Sequence, residues 1–278
     1  MLNQQEKADR FRTLHERGTF VIPNPWDIGS ARLLASLGFE ALATTSSGHA
    51  YSLGRLDGDV GLERALEHCR ALAGATQLPV SADFENAFAA EPRLAAANIL
   101  RAAETGIAGC SIEDFSGDAD KPIYDFELAV ERVAAAVEAV RGLDFPFTLT
   151  ARAENLLHGV NDLDDTIRRL QAFEAAGADV LYAPGLKTLD EIRTVVGAVG
   201  RPINVLGPMV KGATVADMAA AGVRRISTGG ALANVAIGAL LRAGEALQER
   251  GDFGWTADAA PRSAISEVFA TFVDSNQQ

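Results

Sequence analysis

Cysteine is scarce. Cys69 and Cys110 are the only two in 278 residues, too few for a disulfide framework and without the spacing of a metal site. Cys69 falls in a helical pattern and Cys110 inside a strand pattern, so both are expected to be buried, unreactive thiols. Positive charge is short as well: 25 Lys and Arg stand against 37 Asp and Glu, a net charge of -12. That balance repels nucleic acid and anionic membranes, which argues against either as a partner. No apolar run reaches membrane-spanning length, and residues 1–10 hold no apolar segment of the signal-peptide kind, so a soluble cytoplasmic protein is expected. Histidine is also rare, with His15, His49, His68 and His158 sharing no ligand spacing; only His49 and His158 fall near strand ends.

What the chain does have is a repeated unit. With 48% hydrophobic residues it can bury a large core, as one big α/β domain or two small ones. The stretch Val80-Ser81-Ala82-Asp83-Phe84-Glu85-Asn86 is an apolar strand that stops in two carboxylates. Gly109-Cys110-Ser111-Ile112-Glu113-Asp114 repeats that arrangement, and Phe147-Thr148-Leu149-Thr150-Ala151-Arg152 gives a strand ending in a cation. Charges at successive strand ends converge only if the strands run parallel.

Taken in order, the pattern gives eight strands alternating with eight helices, each unit taking roughly 30 residues, the span of a strand and its crossover helix. The helices are predicted at 30–37, 62–75, 93–105, 126–140, 162–175, 189–199, 215–221 and 232–250, after a polar helix at 4–16. An open doubly wound sheet would also alternate, but eight regular repeats without a break favour a closed (β/α)8 TIM barrel over 19–250 within one domain, 1–278. A further helix in the extension at 260–274 carries Ile265, Val268, Phe269 and Phe272 on one face. An apolar face beyond a finished barrel calls for a partner, so a homo-oligomer is expected through it.

Asp83, Glu85, Glu113, Asp114 and Arg152 are placed around the barrel mouth, with Asp57 on the long loop after the second strand. Carboxylates from adjacent strands suit a hard cation such as magnesium, which would polarise a substrate carbonyl. The competing reading is that Asp83 and Glu113 pair with Arg152 in a structural ion network. Ser46-Ser47-Gly48 is read as a turn with backbone N–H groups and hydroxyls able to hold a carboxylate or an oxyanion, or as a simple polar turn. Asn204, in the seventh strand, joins the substrate-binding set. Gly229-Gly230 stands where many barrels bind phosphate, although two glycines also ease tight packing. Lys187 and Lys211 fall in loops, which argues against a Schiff-base aldolase.

The chain resembles the isocitrate lyase and phosphoenolpyruvate mutase superfamily over about 20–251. The resemblance is carried by Asp27-Ile28-Gly29-Ser30-Ala31-Arg32, Thr45-Ser46-Ser47-Gly48, Leu53-Gly54-Arg55-Leu56-Asp57, Ser81-Ala82-Asp83, Ile112-Glu113-Asp114, Ala151-Arg152-Ala153-Glu154 and Ala176-Gly177-Ala178-Asp179. It implies an enzyme, a carbon-carbon lyase acting on a small 2-oxo acid through a magnesium-stabilised enolate. It also implies a dimer or tetramer whose C-terminal helices swap between barrels. Carried over by position, Ser46, Ser47 and Gly48 hold the carboxylate and enolate oxygen, Arg152 clamps a carboxylate, Asp57 is the loop aspartate, and Asp83 and Glu113 belong to the metal shell. Two departures narrow this. Ser81 stands where the family usually has its aspartate ligand, so magnesium is expected to bind weakly or through Glu85. The lyase motif Lys-Lys-Cys-Gly is replaced by Phe115-Ser116-Gly117-Asp118-Ala119-Asp120-Lys121, a stretch that, with the residues up to Tyr124, is expected to act as a lid. The sequence therefore points to a lyase or decarboxylase of a 2-oxo (di)carboxylic acid. Its alternatives are a phosphonopyruvate-type mutase or hydrolase, although Pro184 aligns where the mutase branch often has a histidine, and a catalytically reduced barrel that binds a 2-oxo acid such as 2-oxoglutarate or oxaloacetate. In the enzyme reading, Arg152, Asp57 and Glu85 do the catalysis.

Overall fold

Short strands with buried residues on both faces alternate with amphipathic helices, and the only way to cover both faces of such strands is a layer of helices around a parallel sheet. The computed structural model describes residues 2–273, so the last position of the expected extension lies outside the described residues. In chain order the elements are α1 (Gln4–Leu14), β1 (Phe20–Ile22), α2 (Ile28–Ser36), β2 (Leu42–Ala43), α3 (Ser46–Ser52), α4 (Leu62–Ala75), β3 (Val80–Ala82), α5 (Pro92–Ala103) and β4 (Gly109–Glu113). They continue with α6 (Phe126–Arg141), β5 (Thr148–Arg152), α7 (Leu163–Ala176), β6 (Val180–Tyr182), α8 (Leu189–Ala198), β7 (Ile203–Leu206), α9 (Val215–Ala220), β8 (Arg225–Ser227), α10 (Ala231–Arg250) and α11 (Arg262–Val273).

The 8-stranded sheet is parallel throughout, in the order β1-β8-β7-β6-β5-β4-β3-β2. Its two ends meet through Ala43 N–H, which donates to the Pro23 carbonyl at 3.0 Å. This is the (β/α)8 barrel that the alternating pattern predicts. Every strand stops at the same face, so the side chains at Asp83, Glu113 and Arg152 are carried to one mouth. Local chemistry sets the helix starts: Asp27, Thr188 and Thr214 each cap a helix in a reciprocal capping box. Gly109 is required by close approach, since a Cβ there would stand 2.3 Å from the Thr148 carbonyl oxygen on the neighbouring strand.

At the opposite end, α1 lies across the strand starts. Ala8 and Phe11 pack on Phe20, Ile22, Ala41 and Ala108, and the Lys7 ammonium donates to the Ala73 and Thr76 carbonyls at the end of α4, both at 2.8 Å. Past the barrel, α10 buries only Ala233 and Ala246 and leaves Val235, Leu240 and Leu241 largely exposed. The helix α11 returns to α2 of the same chain, with Arg32 over the Phe272 ring at 5.3 Å.

One irregular segment matters for the mouth. Between β3 and α5, Glu85, Ala87 and Phe88 all adopt positive φ, at 48°, 55° and 57°, a region that side chains other than glycine disfavour at about 1 kcal/mol each. Arg132 of α6 holds this loop. Its guanidinium, fully buried, donates to the carbonyls of Asn86 at 2.6 Å, Ala89 at 2.5 Å and Ala90 at 3.2 Å, and lies 4.3 Å from the Tyr124 ring centroid. Replacing Arg132 by Met removes the donors but keeps the bulk, and is expected to destabilise the protein by about 3 kcal/mol. Urea unfolding checks this, and a change below about 0.5 kcal/mol would show that the loop does not depend on this side chain.

Candidate active site

At the mouth, Arg152 closes β5 and is shared by carboxyl groups from its neighbours. Its Nη1 lies 2.6 Å from Asp83 Oδ1 beyond β3 and 3.3 Å from Glu113 Oε2 at the end of β4, and its Nε donates to Glu154 Oε1 at 2.8 Å. The Tyr182 ring covers it, 4.9 Å from guanidinium carbon to ring centroid. Burial works against the charge of Arg152, but Glu154, Glu113 and Asp83 outweigh it and hold the group protonated. Glu113 is pushed well up by burial, with Arg152 opposing.

The residues read as a polar turn are in fact the first turn of α3, capped by the Thr45 hydroxyl. Serine and glycine are weak helix formers, and the cap together with Asp83 overrides that preference. Ser46 donates both its N–H and its hydroxyl to Asp83 Oδ2, at 3.1 and 3.0 Å, while the Gly48 N–H is used on Thr45 Oγ1 at 3.2 Å. Ser47 faces the cavity with its hydroxyl 3.2 Å from Thr45 Oγ1. It also lies where a side chain at Gly230 would stand, 2.5 Å from an added Cβ, so that glycine serves close approach. The N–H groups of Thr228 and Gly229 both donate to Asn24 Oδ1 at 2.9 Å. The expected phosphate turn thus spends these donors on Asn24.

Asp57, Glu85 and Asp83 crowd one side of the mouth. Glu85 is pushed up to about 7 by burial and by the neighbouring Asp83 and Asp57 charges, and Asp57 is raised by burial and by Asp83. A carboxyl group placed like Glu85 can exchange a proton near neutral pH. A cavity of about 180 Å³ runs inward from Ser46, Asp57, Asp83 and Arg152 past Ser81, Tyr182 and Asn204 to Arg225. A wider hollow of about 620 Å³ opens at the opposite face around Arg12, Arg141, Asp144 and Arg201; the perturbed carboxyl groups gather at the mouth, and we place the site there.

The donor set does not suit magnesium as it stands. Asp83 commits one oxygen to Arg152 and the other to Ser46, Glu113 faces Arg152, and Ser81 contributes only a hydroxyl. Among the described residues no group of three or more His, Cys, Asp or Glu side chains converges on a cation. Arg152 lies among these carboxylates and takes up their free oxygens.

The remaining candidates separate. Asn204 is buried, donating to Ser227 Oγ at 3.0 Å and accepting from Arg225 Nε at 2.9 Å. Asp114 turns away from the mouth, accepting from the Glu154 N–H at 2.7 Å and from Arg169 at 3.1 Å. His158 stacks on Phe115, ring centroids 3.9 Å apart, with Nε2 3.6 Å from Glu154. The segment expected as a lid is a small hairpin in which Phe115 pairs with Ile123. His49 stacks on His68 at 3.7 Å, behind the mouth. Both thiols are buried, and burial raises them, Cys69 to about 12. Lys187 and Lys211 are exposed in their loops. The sequence reading missed Arg225, Tyr182 and Glu154 as parts of the site. A cation inside an otherwise apolar strand, Arg225-Ile226, was the signal available.

The profile of the phosphoenolpyruvate phosphomutase family matches residues 11–248. The chain belongs to this family, within the isocitrate lyase and phosphoenolpyruvate mutase superfamily. It is 32% identical to an uncharacterized protein of Mycobacterium tuberculosis strain H37Rv, over 95% of this chain and 96% of that one. It is 31% identical to an oxaloacetate decarboxylase of Bradyrhizobium diazoefficiens, over 71% and 72% of the two chains. Among solved structures, a Burkholderia cenocepacia J2315 protein assigned provisionally as a lyase/mutase superposes with a TM-score of 0.92 at 54% identity, covering 96% of each chain. An oxaloacetate acetylhydrolase in complex with its product oxalate superposes with a TM-score of 0.86 at 25% identity, covering 99% of each.

The raised Glu85 carboxyl carries a stability consequence. Its folded-state pKa, about 7, lies above the unfolded value of about 4.3. Its contribution is therefore fully present at low pH and is lost as pH rises through about 7. The Glu85→Gln protein, which has no charge to bury there, is expected to be more stable than the parent by about 4 kcal/mol at pH 8 and equal to it near pH 4. Urea titrations at both pH values check this; a difference that does not grow with pH would refute the assignment.

Proposed function

We propose that this protein cleaves or decarboxylates a small 2-oxo (di)carboxylic acid through an enolate. The observation that carries the reading is the meeting, at one barrel mouth, of the Arg152 guanidinium with a crowd of carboxyl groups, Asp83, Asp57 and Glu85, the last pushed up to about 7 by burial and by its two neighbours. Arg152 and the Ser46 and Ser47 hydroxyls hold the oxygens of the substrate, with Gly48 allowing their helix turn to pack closely. Asn204 and Asp83 fix the substrate's orientation. As the C–C bond breaks, its electron pair moves into the enolate, whose charge Arg152 stabilises. In the decarboxylation the carboxylate leaves as CO2, and Glu85 or Asp57, entering the step protonated, supplies a proton to the enolate carbon and is left as the carboxylate. Since Asp83 and Glu113 are already turned to Arg152, no step is assigned to magnesium.

A second reading, a reduced barrel that binds a 2-oxo acid without turning it over, is favoured by the saturation of Arg152 with carboxyl partners. Proton and phosphorus NMR with oxaloacetate, 2-oxoglutarate, phosphonopyruvate and methylisocitrate, with magnesium and then with chelator, separates the two. The expected result is conversion of one 2-oxo acid that persists in chelator and is abolished in Arg152→Ala. Loss of conversion with chelator would show that Asp83 and Glu113 rearrange around a cation. Line broadening without conversion would favour the binding protein, and unchanged kcat/KM in Arg152→Ala would sink both assignments of that residue.

We also infer a homo-oligomer, dimer or tetramer, built through α10 and α11. The exposed Val235, Leu240 and Leu241 of α10 support it, since an apolar helix face of this length is seldom left to water. Sedimentation velocity is expected to give a multiple of 29.3 kDa; a lone monomer at micromolar concentration would refute it.

A further inference from the structure

The floor of the cavity holds a second guanidinium whose surroundings differ from those of Arg152. Arg225, the first residue of β8, is 5% exposed. Its Nε donates to Asn204 Oδ1 and its Nη2 to Thr150 Oγ1, both at 2.9 Å, and its Nη1 approaches His15 Nε2 at 3.3 Å. All of these partners are neutral. His15 donates its Nδ1–H to the Phe11 carbonyl at 2.8 Å, which leaves Nε2 as the acceptor, and burial together with the Arg225 charge holds its pKa down to about 3. Among the described residues no carboxylate pairs with Arg225, and burial lowers its own pKa to about 10.

A buried cation with only neutral partners is the costly arrangement. A guanidinium also has more N–H donors than these contacts use. The cavity reaches Arg225 through a space lined by Ser81, Ser111, Asn204 and Ser227, all neutral and able to hydrogen-bond. The mouth is the reverse: Arg152 already faces Asp83, Glu113 and Glu154, and Asp57 stands beside them. An anion entering this cavity is repelled at the rim and gains most at the floor.

We propose that Arg225 is the anion-recognition group of the cavity and receives a carboxylate of the substrate, which enters carboxylate first and leaves its other end beside Asp57 and Arg152. This deepens the lyase reading and rests on it only for what happens at the outer end; carboxylate capture at the floor needs no turnover.

Calorimetric titration of the full chain with oxalate, in buffer containing chelator, tests the proposal. Arg225→Met is expected to raise the Kd for oxalate by about tenfold or more, the loss of a charge-assisted hydrogen-bonding pair. A crystal of the wild-type protein grown with oxalate is expected to place a carboxylate oxygen within about 3 Å of the Arg225 guanidinium; this readout stands even if the variant fails to fold. An unchanged Kd in folded Arg225→Met, oxalate seated only on Ser46 and Arg152, or no oxalate binding by the wild type at about 10 mM would each overturn it. Oxalate bound at Arg225 with no conversion of any 2-oxo acid would instead defeat the lyase reading and leave this one standing.

Discussion

The mouth of this barrel depends on one guanidinium. Arg152 is reached by Asp83, Glu113 and Glu154, residues that three different strands deliver to the same face, and those carboxyl groups can share so little space only because the cation lies among them. The balance is uneven: three acidic groups meet one base, with Asp57 and Glu85 close by. Burial and mutual repulsion therefore win at the periphery, where Glu85 and Asp57 are driven toward the protonated form, while Coulomb attraction wins at the centre, where Arg152 stays charged. The raised Glu85 carboxyl follows from burial and that excess together and needs no separate device.

The same excess divides the barrel interior into two electrostatic halves. Its acidic rim is built mainly from the β2, β3 and β4 side, with Arg152 at the boundary. Its deeper half, from β5 to β8, carries Thr150, Tyr182, Asn204, Ser227 and Arg225, which form a connected set of neutral hydrogen bonds around one cation. A barrel filled with branched aliphatic layers would be more stable. Retaining Arg225 in that layer, where its desolvation is not offset by a carboxylate, is the kind of local conflict that marks a functional position.

The architecture was largely legible in the sequence. Alternation of short apolar runs with helical periodicity points to the barrel, and the strand-end position of Asp83, Glu113 and Arg152 puts them on one face. Contact partners were not legible to the same degree. Ser46-Ser47-Gly48 reads as a turn because those residues are poor helix formers, and only a long-range bond to Asp83 shows that a helix starts there. Arg132 holds the loop that carries Glu85 through the Asn86, Ala89 and Ala90 carbonyls, contacts that no residue pattern announces. His49 and His68 meet although α3 and α4 are separated by a loop without a periodic signal. Arg225 was visible as a letter but not as a problem, since whether an arginine at a strand start meets a carboxylate depends on side chains from β5, β7 and α1.

The strained loop links stability to chemistry. Glu85 sits in left-handed backbone without being glycine, a conformation that turns its carboxyl toward Asp83 and Asp57. A glycine would relieve the backbone but would also delete the carboxyl, and a relaxed extended residue would carry the carboxyl elsewhere. The strain is therefore the condition for the burial and charge crowding that raise Glu85, and the Arg132 clamp on the Asn86, Ala89 and Ala90 carbonyls is what makes it sustainable. Two arginines outside the acidic cluster, Arg132 beneath the loop and Arg225 beneath the cavity, thus fix what the acids at the mouth can do. Arg132 sets where the proton-exchanging group stands, and Arg225 sets the direction in which a bound anion is drawn.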